Sequence, residues 1–252
     1  MVVKYATGLI FDDIFVYSLN LKNMKTFYKK PATILAMICM VAVLISSCKN
    51  NDDDFEPVVY GDANIRLTNT VSGSNSQDFY QADTKLTTTA IAYAETSSLI
   101  KLKAGNSIIS FKNTGTATTT ASLNVGLETN INYTAFYYTN AGGSGQIFGF
   151  SDDNVAPASG KVKIRFVNLG SALNNTLNIN VAGGAAVITG LGFEKATTYA
   201  TLDAGTNLEF TVLNSGITVP ISGTSFVSGK IYTIWFDAAI NTTAKFHIIQ
   251  QN

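Results

Sequence analysis

Two stretches of this chain spell nearly the same strand 99 residues apart. Gly61–Asn69 reads GDANIRLTN and Gly160–Asn168 reads GKVKIRFVN. The agreement continues in order. Ile91-Ala92-Tyr93 answers Leu191-Gly192-Phe193, Leu102–Gly105 answers Leu202–Gly205, and Tyr133-Thr134 answers Tyr232-Thr233. Matches in one order with one-residue slips are what a duplicated domain of about 95 residues leaves behind. The expectation is one fold used twice, over 60–152 and 160–252. The stretch between them, through Asp152, Asp153 and Pro157 to Ser159, is polar and short. So short a linker leaves little room for free tumbling, and the two halves are expected to touch end to end.

The period of the apolar residues decides the fold class. In Lys161–Phe166 basic and apolar residues alternate; Leu177, Ile179 and Val181 alternate with Asn178 and Asn180; Leu208, Phe210 and Val212 alternate with Glu209 and Thr211. That is the two-residue period of half-buried strands, and no helical period of useful length competes with it. Thr and aromatic residues are common, and Pro is rare, at 4 of 252, which also favours strands. The reading is all-β: two tandem immunoglobulin-like antiparallel β-sandwich domains, each of seven or eight strands, with one sheet face dry and the other wet. Gly105 and Gly205 are expected in equivalent turns that need positive φ. Ile65 and Ile164 are expected in equivalent core positions.

The first 59 residues have a different character. Lys25, Lys29 and Lys30 precede a nearly wholly apolar run, Ala32 to Ile45, that is shorter than the roughly 20 residues a spanning helix needs. Ile45, Ser46 and Ser47 then lead into Cys48. The order of basic, apolar, small and cysteine resembles the lipobox of bacterial lipoproteins. The resemblance implies a signal peptide over 24–47, recognition by the signal peptidase at Ile45, Ser46 and Ser47, and lipidation with palmitate-type chains on Cys48. Met24-Lys25 makes a better start for such a signal than Met1, so 1–23 reads as a mis-called extension. Residues 48–59, with Asp52-Asp53-Asp54, read as an acidic tether. A lysine and acids after the cysteine are similar to the export signal of Bacteroidetes-type surface lipoproteins. That implies an outer-membrane anchor facing the cell exterior.

Two repeats, each opening on Ile-Arg-x-x-Asn (Ile65-Arg66 to Asn69, Ile164-Arg165 to Asn168) and carrying a Leu-x-Ala-Gly turn, resemble the domain-of-unknown-function family numbered 4397. The resemblance spans about 61–250 and implies fold and location only, since the family brings no catalytic residues.

Chemistry is sparse. The precursor carries 17 basic and 17 acidic residues, and no basic stripe suggests nucleic acid. Of the two cysteines, Cys39 falls within the signal and Cys48 would be acylated, so no disulfide is expected. His247 is the single histidine; it sits among Phe246, Ile248 and Ile249 and reads as structural. No serine lies in a nucleophile elbow, no calcium loop is present, and Asp152-Asp153 read as solvated linker. Neither catalysis, nor a metal, nor a cofactor is expected. Among the aromatics, Tyr133, Ala135 and Tyr137 share a face with their equivalents Tyr232, Ile234 and Phe236, and that face reads as core. Phe136, Tyr138 and Trp235 lie on the opposite face. They could cover a second sheet face, fill the joint between halves or stack on sugars, and Trp235 is the candidate ligand-binding residue. The expected function is a cell-surface, lipid-anchored binding or adhesion module taking a glycan or protein ligand. The alternative is a structural subunit of an envelope or fimbria-like assembly.

Overall fold

In the computed structural model the described residues, 60–252, form 17 strands and one 3₁₀ turn at Gly223–Ser225, with no α-helix among them. The first half holds β1 (Asp62–Asn69), β2 (Gln77–Gln81), β3 (Thr84–Lys85), β4 (Ile100–Lys103), β5 (Gly105–Asn113), β6 (Thr119–Leu127), β7 (Asn132–Thr139) and β8 (Gly145–Ser151). The second holds β9 (Lys161–Asn168), β10 (Leu177–Val181), β11 (Ala186–Leu191), β12 (Lys195–Ala196), β13 (Ala200–Asp203), β14 (Leu208–Val212), β15 (Thr218–Ile221), β16 (Ile231–Ile240) and β17 (Thr243–Gln250). The signal, Cys48 and the tether lie outside the described residues.

Each half is a β-sandwich. The first packs sheet β4-β1-β7-β8 against sheet β3-β2-β5-β6; the second packs β9, β16 and β17, with β12 and β13 on the far edge of β9, against β11-β10-β14-β15. Strand for strand, the second order follows the first. One pair in each sandwich departs from antiparallel pairing: β1 runs parallel to β7 and β9 parallel to β16, with Ile65 opposite Tyr133 and Ile164 opposite Tyr232. Parallel neighbours need a long crossover, and here the outer sheet of each sandwich supplies it.

Alternation fills the cores. From β1, Ala63, Ile65 and Leu67 meet Phe79, Ile109, Phe111 and Tyr137. From β9, Val162, Ile164 and Phe166 meet Ile179, Phe210, Ile234 and Phe236. Ile65 and Ile164 are both buried in these clusters. Gly105 and Gly205 both have positive φ, at 96° and 77°. At Gly105 the Tyr60 ring also lies where a Cβ would stand, 2.8 Å away.

The halves do not meet end to end. A third apolar cluster joins Phe136, Tyr138, Val167, Leu169, Trp235 and Ile249 across the inner sheets of the two sandwiches. The inner sheets therefore pack face to face, and the described residues form a stack of four sheets. The cause is the second face of β7 and β16. Both strands are flanked by neighbours on each side, and their outward aromatics would otherwise lie exposed on a flat sheet. Lys163 and Arg165, expected on a wet face, are partly covered for the same reason.

Truncating either core isoleucine removes buried methyl groups that a packed sandwich cannot replace. Ile65→Ala and Ile164→Ala should each cost about 2–5 kcal/mol of unfolding free energy, measured by denaturant melts.

Candidate functional site

Two places concentrate chemistry: the joint between the inner sheets and the outer face of the first sandwich.

The joint is apolar at its middle and charged at one end. Trp235 on β16 is fully buried; Phe136 lies 6.4 Å from it, edge to face, and His247 stacks on it at 3.9 Å and 10°. Trp235 therefore presents no face to a ligand, and its place is structural. At the charged end Arg165 lies between two rings, 3.9 Å from the centre of Phe150 and 4.1 Å from that of Tyr199. Its guanidinium donates to the Ser151 carbonyl, and Arg66 donates to the Gln251 carbonyl, each at 3.2 Å. Asp152, read from sequence as solvated linker, instead has its side chain buried. It accepts from Thr134 at 2.9 Å and from Gln251 at 2.6 Å, with Arg66 at 3.9 Å. Burial pushes its carboxyl up, against the opposing pull of Thr134, the two arginines and Gln251. Asp153 pairs with Lys163, which also donates to the Val155 carbonyl. The linker is pinned to the second sandwich rather than free.

Two phenols cross the joint. Tyr93 donates to Asp237, whose other oxygen lies 3.2 Å from His247; Tyr138 donates to Glu194 at 3.0 Å. Burial first, then the carboxylate partner, pushes each phenol up to about 12. A Tyr–Asp–His row resembles relay chemistry in outline. Yet the phenol holds its proton against the aspartate, and the imidazole lies flat on Trp235, so the row works as a bolt between the sandwiches. Among the described residues no three or more His, Cys, Asp and Glu side chains gather as a metal site.

The outer face of the first sandwich has a different make-up. Asp78 is buried there against Lys85 at 2.8 Å, Thr87 and Thr114. Burial raises its carboxyl, but these partners outweigh it and leave the group below its ordinary value. Lys112 sits over the Tyr80 ring at 4.3 Å. Beside them Asn106, Ile108 and Asn124 rim a shallow hollow of about 500 Å³, and Ile108 is 53% exposed. Sequence reading passed over this face because each residue there has an ordinary strand environment. The one available signal was the pair Tyr80 and Ile108 at outward positions of the alternation.

A third feature is a seam. Edge strands β6 and β8 flank an apolar groove of about 210 Å³ lined by Ile109, Leu123, Val125, Ile147 and Gly149.

The model of a family described as "Domain of unknown function (DUF4397)" matches residues 63–175, which take in the first sandwich and β9. No curated protein matches the chain. Among solved structures, the crystal structure of CBMbc (family CBM26) from Eubacterium rectale Amy13K in complex with maltoheptaose is 11% identical. That comparison covers 76% of this chain and 97% of the other, with a TM-score of 0.21. So low a score carries no argument about function.

The raised phenols set a pH window. A group whose folded pKa exceeds its unfolded value contributes stability that is complete below the unfolded value, about 10, and is lost as pH rises through about 12. The melting temperature should fall over that interval. Tyr93→Phe and Tyr138→Phe should each flatten the fall, as read by thermal melts from pH 8 to about 12.

Proposed function

We propose that this chain is a cell-surface binding module, anchored through a lipid on Cys48, that holds glycans on the outer sheet of its first sandwich and does not catalyse. The second sandwich, on this reading, is a diverged copy of the first that braces it. The observation that carries the ligand face is a contrast. Tyr80, Ile108 and Lys112 occupy outward positions whose counterparts in the second sandwich are Asn180, Asn207 and Thr211. Some joint positions stay alike, Arg66 matching Arg165 and Thr134 matching Thr233, while these outward positions differ. A rim of amides beside an exposed aliphatic and an aromatic ring suits sugars, whose C–H faces are apolar and whose hydroxyls pair with Asn.

A glycan array probed with the 58–252 fragment tests the face. Binding should drop at least about tenfold, which is 1.4 kcal/mol, in the double variant Ile108→Asp/Asn124→Ala, while the melting temperature holds. A wild-type fragment that binds no glycan, or a double variant that binds unimpaired, sinks the reading. The seam supports the second reading, a structural subunit, because edge strands beside an apolar groove can take an added strand. Sedimentation of the fragment as concentration-dependent multimers, abolished by Leu123→Lys, would favour it.

The anchor has its own test. Cys48→Ala should move the full-length protein from the membrane fraction to the soluble one or block its processing. Intact mass showing an unmodified Cys48 in the wild type defeats that part of the proposal.

A further inference from the structure

The contacts across the joint come in equivalent pairs. Arg66 donates to a carbonyl of the second sandwich's last strand region, at Gln251, and its counterpart Arg165 donates to the end of β8, at Ser151. Tyr93 of the first half meets Asp237 of the second. The counterpart of Asp237 is Tyr138, and it meets Phe193 and Glu194, which stand where Tyr93 stands in the first half. Two positions face their own equivalents. Phe136 packs on Trp235, 99 residues on, and Asp152 bonds to Gln251, also 99 residues on. Residue i on j together with j on i, and two positions on themselves, is the signature of an isologous two-fold interface. A head-to-tail junction has no such self-facing pairs.

We infer that the joint is a self-complementary face: the inner sheet of either sandwich fits the same face of a second copy of this chain as well as its own intrachain neighbour. Charge breaks the symmetry at two places. In the intrachain pair Asp152 faces an amide, Gln251. A pair of first sandwiches would set Asp152 against Asp152, both buried, and a pair of second sandwiches would set Glu194 against Asp237 at both related positions, in place of the tyrosines these carboxylates now meet. Like charges facing each other in an interface disfavour that partner. Asp152 therefore biases the face away from assembly through two first halves, and Glu194 with Asp237 away from assembly through two second halves, which favours the intrachain arrangement. The inference stands apart from the glycan reading, since the ligand face lies on the opposite sheet.

A protease site inserted after Pro157 in the 58–252 chain lets the linker be cut while both halves remain present. After cleavage and overnight mixing, native mass spectrometry should find first–second pairs dominant and both like pairs scarce. In the same chain carrying Asp152→Asn, first–first pairs should rise at least about tenfold, the equivalent of 1.4 kcal/mol. Only first–second pairs and free halves, in both chains, would overturn the inference. Should the insertion prevent folding, deletion of Val155–Ala158 gives a second test. Halves that cannot close within one chain should close between two, as a dimer with Trp235 still blue-shifted in emission. A monomer with Trp235 in water overturns it equally.

Discussion

Arg165 clasped between Phe150 and Tyr199 is the contact on which the arrangement of this molecule turns. A guanidinium is weakly hydrated and stacks on aromatic faces, so it can be covered at lower cost than an ammonium. That lets a basic strand, β9, turn its polar side toward another sheet instead of toward water. Arg66 and Arg165 both reach backbone carbonyls across the joint and Asp152 offsets part of their charge, so the polar ends of the two inner sheets are paired in part, with Arg66 Nη1, Arg165 Nε and Thr233 Oγ1 left without a hydrogen-bond partner. The aromatic middle, from Phe136 to Trp235, can then close. Without the arginine contacts the same burial would strand charged groups, which costs several kcal/mol per group.

The sandwiches themselves were legible in the sequence. The inward rows Ala63, Ile65, Leu67 and Val162, Ile164, Phe166 follow from period two alone, and the 99-residue offset aligns them. What covers the other side of a strand was not legible. Lys161, Lys163 and Arg165 make the pattern of a solvent face, and alternation does not distinguish water from a second polar-edged sheet. Asp152 was misread for a related reason. Its local sequence is linker, and its partners Thr134, Arg66 and Gln251 come from strands distant in sequence. Phe136, Tyr138 and Trp235 were the one hint, since large outward aromatics on a central strand need a partner. The two-fold relation that pairs them needed the structure.

Stacking inner face on inner face has a geometric consequence. The outer sheets, β3-β2-β5-β6 and β11-β10-β14-β15, become the two broad faces left to water, pointing in opposite directions. Selection can then change one without disturbing the other or the joint. The make-up of the two faces agrees with that freedom. Asn178, Asn180 and Thr211 are small and uniformly polar, whereas Asp78, Tyr80 and Lys112 combine charge with an aromatic ring, next to an exposed Ile108. An exposed aliphatic on a polar sheet is ordinary alone. It gains meaning beside Tyr80, because Asn180 and Asn207 stand at the two counterpart positions.

The seam between β6 and β8 traces to a difference of the same kind between the two sandwiches. On β17, Ala244, Phe246 and Ile248 fill the inward row and close the second core. On β8 the equivalent inward row is Gly145, Ile147 and Gly149, and the groove of about 210 Å³ opens beside Gly149. A side chain at 149 would be tight, since its Cβ would stand 3.1 Å from the Thr134 carbonyl. Thr134 is the strand neighbour whose hydroxyl also donates to Asp152. A larger residue at 149 would press on the strand that positions Asp152 in the joint. The first sandwich thus keeps its seam open on one face and its joint in register on the other through the same short stretch of β7, which ties the shape of the groove to the pairing of the two halves.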